Sequence, residues 1–157
     1  MSAELFRQTA GIEMLHVPFR TSSEAITAVL GKQVDILFDT VLPVTGPVQS
    51  GQLKAIAVTG KDRYAALPDV PPAIDVLPGY DVTTWYGFFA PRGTPPEIVA
   101  KLHKAVSESI KEEAVRDKLI KAGIAVQGST PEAFGQFMAG ELARWNKVRE
   151  AAGIAQQ

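Results

Sequence analysis

Apolar and polar positions in the first third of the chain switch between a helical period and short apolar runs. In "AELFRQTA", Leu5 and Phe6 fall on one helical side, and Gly11 follows as an expected C-cap. "MLHV" predicts a short strand that Pro18 ends. "SEAITAVLGK" repeats apolar residues at helical spacing through Ala25, Ile26, Val29 and Leu30, and Gly31 closes it. "VDILFD" and "LKAIAVT" are apolar runs with a β-like bias. The intervening "VLPVTGPVQSGQ" reads as a broken helix at best, because Pro43, Gly46 and Pro47 interrupt it. Strands alternating with helical segments predict parallel pairing through right-handed crossovers.

Residues 60–81 lose this periodicity. Their proline-rich stretch "RYAALPDVPPAIDVLPGYD" predicts a long ordered loop or linker. "VTTWYGFFAP" then resumes as an aromatic, strand-like run, long enough to cross between lobes. The last third turns helical. "GTPPEIVAKLHKAVSESIKE" offers Thr94 and Glu97 as a capping box and a stripe of Ile98, Leu102, Ala105, Val106 and Ile110. "EAVRDKLIKAG" predicts a shorter helix closed by Gly123, and "IAVQG" a strand. The final helix begins at "TPEAF", with Phe134, Phe137, Met138, Trp145 and Val148 as its stripe.

Composition narrows the classes. The 157 residues are 46% apolar and 21% charged with a net charge of -1, so no field favours nucleic acid or an anionic membrane surface. No run of about 18 apolar residues predicts a bilayer span. "MSAELFRQTAG" lacks the basic-then-apolar pattern of a signal peptide. The absence of cysteine excludes disulfides and thiolate chemistry. With two distant histidines, His16 and His103, and no HExxH or EF-hand spacing, no metal or cofactor is expected. No GxSxG elbow, Walker loop or post-strand GxGxxG asks for an enzyme.

The stretch with candidate chemistry is "HVPFRTSSEA". Amides at a helix N-terminus, with the hydroxyls of Thr21, Ser22 and Ser23, suit a carboxylate, and Arg20 adds a charged fork. A Thr21–Glu24 capping box explains the same residues without a ligand, and locally it is the commoner use. Asp39 closes the next apolar run, either as a ligand contact at a strand's carboxyl end or as a turn aspartate. Trp85 and Tyr86 suit core more than pocket, Glu141 a paired acid beside an apolar stripe. His16 reads as a core or edge residue and His103 as solvated.

Four blocks in order, "HVPFRTSSEAITAVLGKQVDILFD", "GQLKAIAVTGKDRYAALPDVP", "LPGYDVTTWYGFFAPRGTP" and "ARWNKVREAAGI", resemble the receptors of tripartite tricarboxylate transporters, the Bug receptors. The resemblance spans nearly the whole chain and covers only the C-terminal half of such a receptor. It implies an α/β, type II periplasmic binding protein fold. Residues 1–80 would form ligand-binding lobe 2 without its first strand. Residues 81–157 would be the interlobe crossing strand and the C-terminal helical part of lobe 1. It also implies a periplasmic, non-enzymatic receptor for a small carboxylate, partnered by a membrane permease and without nucleic acid or membrane insertion. Mapped here, the ligand-facing residues are Phe19, Arg20, Thr21, Ser22, Ser23 and Asp39. Phe19 and Thr21 replace the tyrosine and glycine that the family commonly has. The family's signal peptide and first ligand loops are expected to be missing, which predicts an incomplete lobe that favours self-association. A non-binding fragment that folds as an assembly, or a sensor module on the same fold, are the alternatives.

Overall fold

The computed structural model describes residues 1–121 and 124–154. Two compact units divide the chain, Met1–Thr84 and Trp85–Gln157. Six α-helices are formed among the described residues: α1 (Ser2–Ala10), α2 (Ser22–Leu30) and α3 (Val41–Gln49) in the first unit, α4 (Pro96–Ser109), α5 (Glu113–Lys121) and α6 (Pro131–Ala151) in the second.

Helix α1 ends as its sequence predicts. Gly11 takes the left-handed conformation at φ 64°, and the Ile12 amide donates to the Arg7 carbonyl at 3.2 Å. Within α1, Arg7 Nε donates to Glu4 Oε1 at 2.9 Å. That hydrogen bond holds the Glu4 carboxyl below its usual range. Helix α2 differs in two details. Its left-handed residue is Lys32 at φ 56° rather than Gly31, and the Gln33 amide closes the turn onto Ala28 O at 2.8 Å. Its buried face is Ala25 and Ala28, while Leu30 is exposed, so the small residues seat the helix.

The expectation of a broken helix at 41–52 is corrected. Residues Val41–Gln49 form a continuous helix with Pro47 inside it. Pro43 occupies the first turn, where an amide has no intrahelical partner. Pro47 removes one bond near the C-terminus, and the Pro47 carbonyl still accepts from the Gln52 and Leu53 amides at 2.9 and 3.0 Å.

The predicted strands run without forming a ladder. Residues 14–17, 54–57, 82–90 and 124–128 carry no strand pairing, and nor does the end of "VDILFD" at 36–39. Only isolated bridges appear among the described residues: Val58 pairs with Pro72 in parallel, and Tyr64 with Leu67. A strand is defined by its neighbour, and these segments find too few neighbours to register. Apolar side chains along them are accordingly exposed: Leu15 at 90%, Ile56 at 67% and Phe88 at 82%.

The proline-rich 60–81 stretch is packed into the first unit rather than strung out as a linker. Leu67, Ala73 and Tyr80 are buried, and Ala73–Asp75 form a 3₁₀ turn. Tyr80, fully buried, meets the Phe6 ring edge-on with centroids 5.5 Å apart, and Phe6 packs on Phe38 at 5.4 Å. Each such pair contributes about 0.5–1.5 kcal/mol beyond the area it buries. The same cluster anchors Phe38, and therefore the position of Asp39 beside it.

In the second unit, Trp85 lies edge-on to Phe134 and Phe137, and Phe89 packs on Phe134. Gly87 permits this, because a Cβ there would lie 2.2 Å from Phe134 Cζ. The predicted Thr94–Glu97 box does not form. Thr94 Oγ1 donates back to Pro91 O at 2.8 Å, and α4 starts with Pro96 at its first position. The α4 stripe is not buried, with Ile98 and Leu102 exposed, and on α6 only Val148 is buried. The Gly123 closure of α5 lies outside the described residues.

Candidate functional site

Helix α2 starts at the centre of the predicted ligand stretch. Thr21, extended at φ -137° and ψ 154°, caps it by accepting the Glu24 amide on Oγ1 at 3.2 Å. The Glu24 carboxylate reaches back to the Arg20 amide at 3.1 Å, one residue before the position a capping box would use. The Thr21 hydroxyl therefore has a structural duty. The Arg20 contact in this cap is its backbone amide, and the residue is exposed.

The next connection is not local. Ser22 Oγ donates to Asp39 Oδ1 at 3.0 Å, across a separation of 17 residues. The same oxygen accepts the Thr40 amide at 2.7 Å and faces Thr40 Oγ1 at 3.4 Å. Thr40 is the N-cap residue of α3 and makes no side-chain cap bond of its own. Asp39 thus ties the start of α2 to the start of α3. A carboxylate oxygen accepting from such donors is well satisfied, and the knot fixes two helix N-termini beside each other.

Of the predicted residues, Phe19 and Ser23 line one cavity and Asp39 lines another. One, about 490 Å³, is a shallow groove along α2 lined by Phe19, Ser23, Glu24, Thr27, Ala28 and Gln33. The other, about 200 Å³, lies beside the extended stretch before α3, the end of 54–59 and the start of 82–90. Ser2, Asp39, Thr40, Thr59 and Thr84 give it polar walls, with Phe38 and Val82 as its apolar ones. Its shape is held by a reciprocal pair: the Val82 amide donates to Thr59 O at 2.7 Å, and Thr59 Oγ1 donates to Val82 O at 2.8 Å.

Sequence reasoning singled out Phe19, Arg20, Thr21, Ser22, Ser23 and Asp39. The structure joins Ser22 to Asp39 and leaves Phe19 and Ser23 on the groove side. It adds Thr59 and Thr84, which line the cavity with Asp39. Thr59 sits at the end of the "LKAIAVT" run, a signal of the same kind as Asp39's, whereas Thr84 lies near the start of "VTTWYGFFAP" with no such signal; the cavity that unites them is tertiary. In the second unit, Glu141 is paired as expected, accepting from Trp145 Nε1 at 3.0 Å and lying 3.5 Å from Arg144. His103 is not simply solvated. Its Nε2 lies 3.0 Å from Ser129 O and 3.2 Å from Ser107 Oγ, tethering the segment before α6. His16 is exposed rather than packed in a core. Among the described residues no cluster of three His, Asp or Glu side chains could hold a metal. No helix among them is long and apolar enough to cross a membrane.

Comparison with known proteins gives this geometry a setting. A UPF0065 protein from the tcbD-tcbE intergenic region of a Pseudomonas species is 34% identical over 94% of this chain and 45% of its own length. A structure of R. palustris Rpa4515 with adipate superposes with a TM-score of 0.82 at 31% identity, covering 98% of this chain and 52% of that one. The periplasmic binding protein BugD superposes with a TM-score of 0.79 at 29% identity, covering 99% and 53%. The chain therefore has the fold of half of such a binding protein, and it spans about half the length of most curated relatives it matches. Residues 1–154 match TctC, described as the tripartite tricarboxylate transporter family receptor, and the chain belongs to that family.

Proposed function

We propose that this chain supplies the carboxylate-binding part of an extracytoplasmic solute receptor that serves a tripartite tricarboxylate transporter. The receptor is a binder and not an enzyme, works in the periplasm, and hands its ligand to a membrane permease. The match over residues 1–154 carries the class of this reading. The Ser22–Asp39–Thr40 knot supports its location, because it brings the starts of α2 and α3 together. Helix N-terminal amides attract anions through their unsatisfied N–H groups and the helix dipole. In this reading the carboxylate meets the α2 amides and the Ser22 and Ser23 hydroxyls. Thr21 shapes the mouth, Arg20 adds attraction from the rim, and Phe19 supplies an apolar wall. The first unit is then a ligand-binding lobe and the second the crossing segment with helices of the other lobe.

Calorimetric titration with succinate, adipate, citrate, glutamate and an aromatic acid tests the reading. Saturable one-site heat from one class, abolished in Thr21→Val/Ser22→Ala, is the expected outcome. Absence of heat from every acid, in a sample folded by circular dichroism, would remove the binding function. A second reading, a structural part that works as an assembly, is favoured by the exposed apolar side chains on unpaired segments.

A further inference from the structure

We propose that the unpaired extended runs of the first unit form an acceptor for added β-strands, and that their occupant is the half of a family receptor that this chain does not match, bound as a separate polypeptide. The inference rests on the fold and family of the chain and not on which acid it binds.

Three runs carry it. Among the described residues, the backbone amides of 14–17, 36–39 and 54–57 donate to no backbone carbonyl. Their side chains are nonetheless disposed as in a sheet. Leu53 and Ala55 are half-buried while Lys54 and Ile56 are exposed, the two-residue alternation of a pleated strand. Leu15, Val17, Ile36 and Ile56 leave apolar surface in solvent along these runs. Free amides beside exposed apolar side chains suit an added strand, whose backbone supplies the hydrogen bonds and whose side chains cover the apolar row.

The solved neighbours point to the occupant. Rpa4515 and BugD are matched over 52% and 53% of their chains, so each holds nearly as much polypeptide again. With TM-scores of 0.82 and 0.79 this chain keeps the path of half a receptor, its runs bare where that further polypeptide is not present. A second copy of this chain is a poorer fit. It brings only the same runs, each already anchored in its own unit, and no strand free to insert. A UPF0065 protein from the clcB-clcD intergenic region of Pseudomonas knackmussii is 31% identical over 94% of this chain and 89% of its own length, so a polypeptide of this size recurs in the family.

Co-expression of the full chain with the unmatched half of Rpa4515, and separately of BugD, tests this by size-exclusion chromatography with light scattering. Each half paired with the remainder of its own receptor serves as reference. A mixed complex of one chain and one half is expected, with amide exchange at 54–57 slowed roughly tenfold or more, the value of one backbone hydrogen bond. Ile56→Pro removes an amide that is unpaired within this chain, so the chain should fold as before while the complex weakens by about tenfold. Where Ile56→Pro does not fold, exchange in the unsubstituted chain decides. A mixed complex without slowed exchange at 14–17, 36–39 or 54–57 would overturn strand addition. No mixed complex with either half would overturn the proposal, and an assembly of this chain alone in its place would make the second copy the occupant.

Discussion

At the scale of single residues, Thr21 carries two separable duties. Its hydroxyl caps α2 through the Glu24 amide, and its side chain stands at the edge of the proposed anion site. Thr21→Ala should lower stability by about 1 kcal/mol through the lost cap. Urea denaturation measures it, and Thr21→Ser should restore most of the loss. If Thr21→Ala leaves stability unchanged, the cap has no weight in solution. The local half of this arrangement was legible in the sequence, since a capping box depends on residues three or four apart. The bond from Ser22 to Asp39 was not. Nothing in "RTSSE" or "LFDT" says that these residues meet; Phe38 packing on Phe6 puts them within reach.

At the scale of elements, the helices followed their periodicity more closely than their punctuation. Prolines in α3 suggest breaks, yet Pro43 stands where its missing donor costs nothing and Pro47 near a terminus already short of bonds. The reverse holds for Thr94, whose hydroxyl chose a turn over the cap that the spacing suggested. Gly87 shows a constraint of a different kind. Its missing Cβ makes room for Phe134, which holds Trp85 and Phe89 together. Gly87→Ala should overpack that cluster and cost about 1–3 kcal/mol. The near-ultraviolet circular dichroism of Trp85 should weaken with it. A companion Phe134→Leu substitution should recover part of the loss, because the clashing ring is then gone. A Gly87→Ala protein as stable as the parent would show that the ring moves aside freely.

At the scale of the whole molecule, the strand-like apolar runs lie extended and unladdered, with Leu15, Ile56 and Phe88 in solvent. Unpaired backbone beside exposed apolar side chains invites another chain to complete it. The isolated chain is expected to self-associate. Light scattering behind size-exclusion chromatography should give a mass above one chain that rises with concentration. Leu15→Lys with Phe88→Lys should push that equilibrium back toward single chains. A constant single-chain mass for the unsubstituted protein would count against it. The sequence by itself determined the helices other than α3, a near-neutral charge balance and the identity of the residues at α2's start, because these depend on spacing over a few residues and on composition. It also held the ordered blocks that resemble the receptor family. Tertiary structure alone decided that Ser22 meets Asp39, that 60–81 packs as core around Tyr80, and that Thr59 and Thr84 share a cavity. It also decided that the strand-like runs stay unpaired. Each of these depends on groups far apart in sequence being brought together, and a residue pattern encodes only its own half of such a contact.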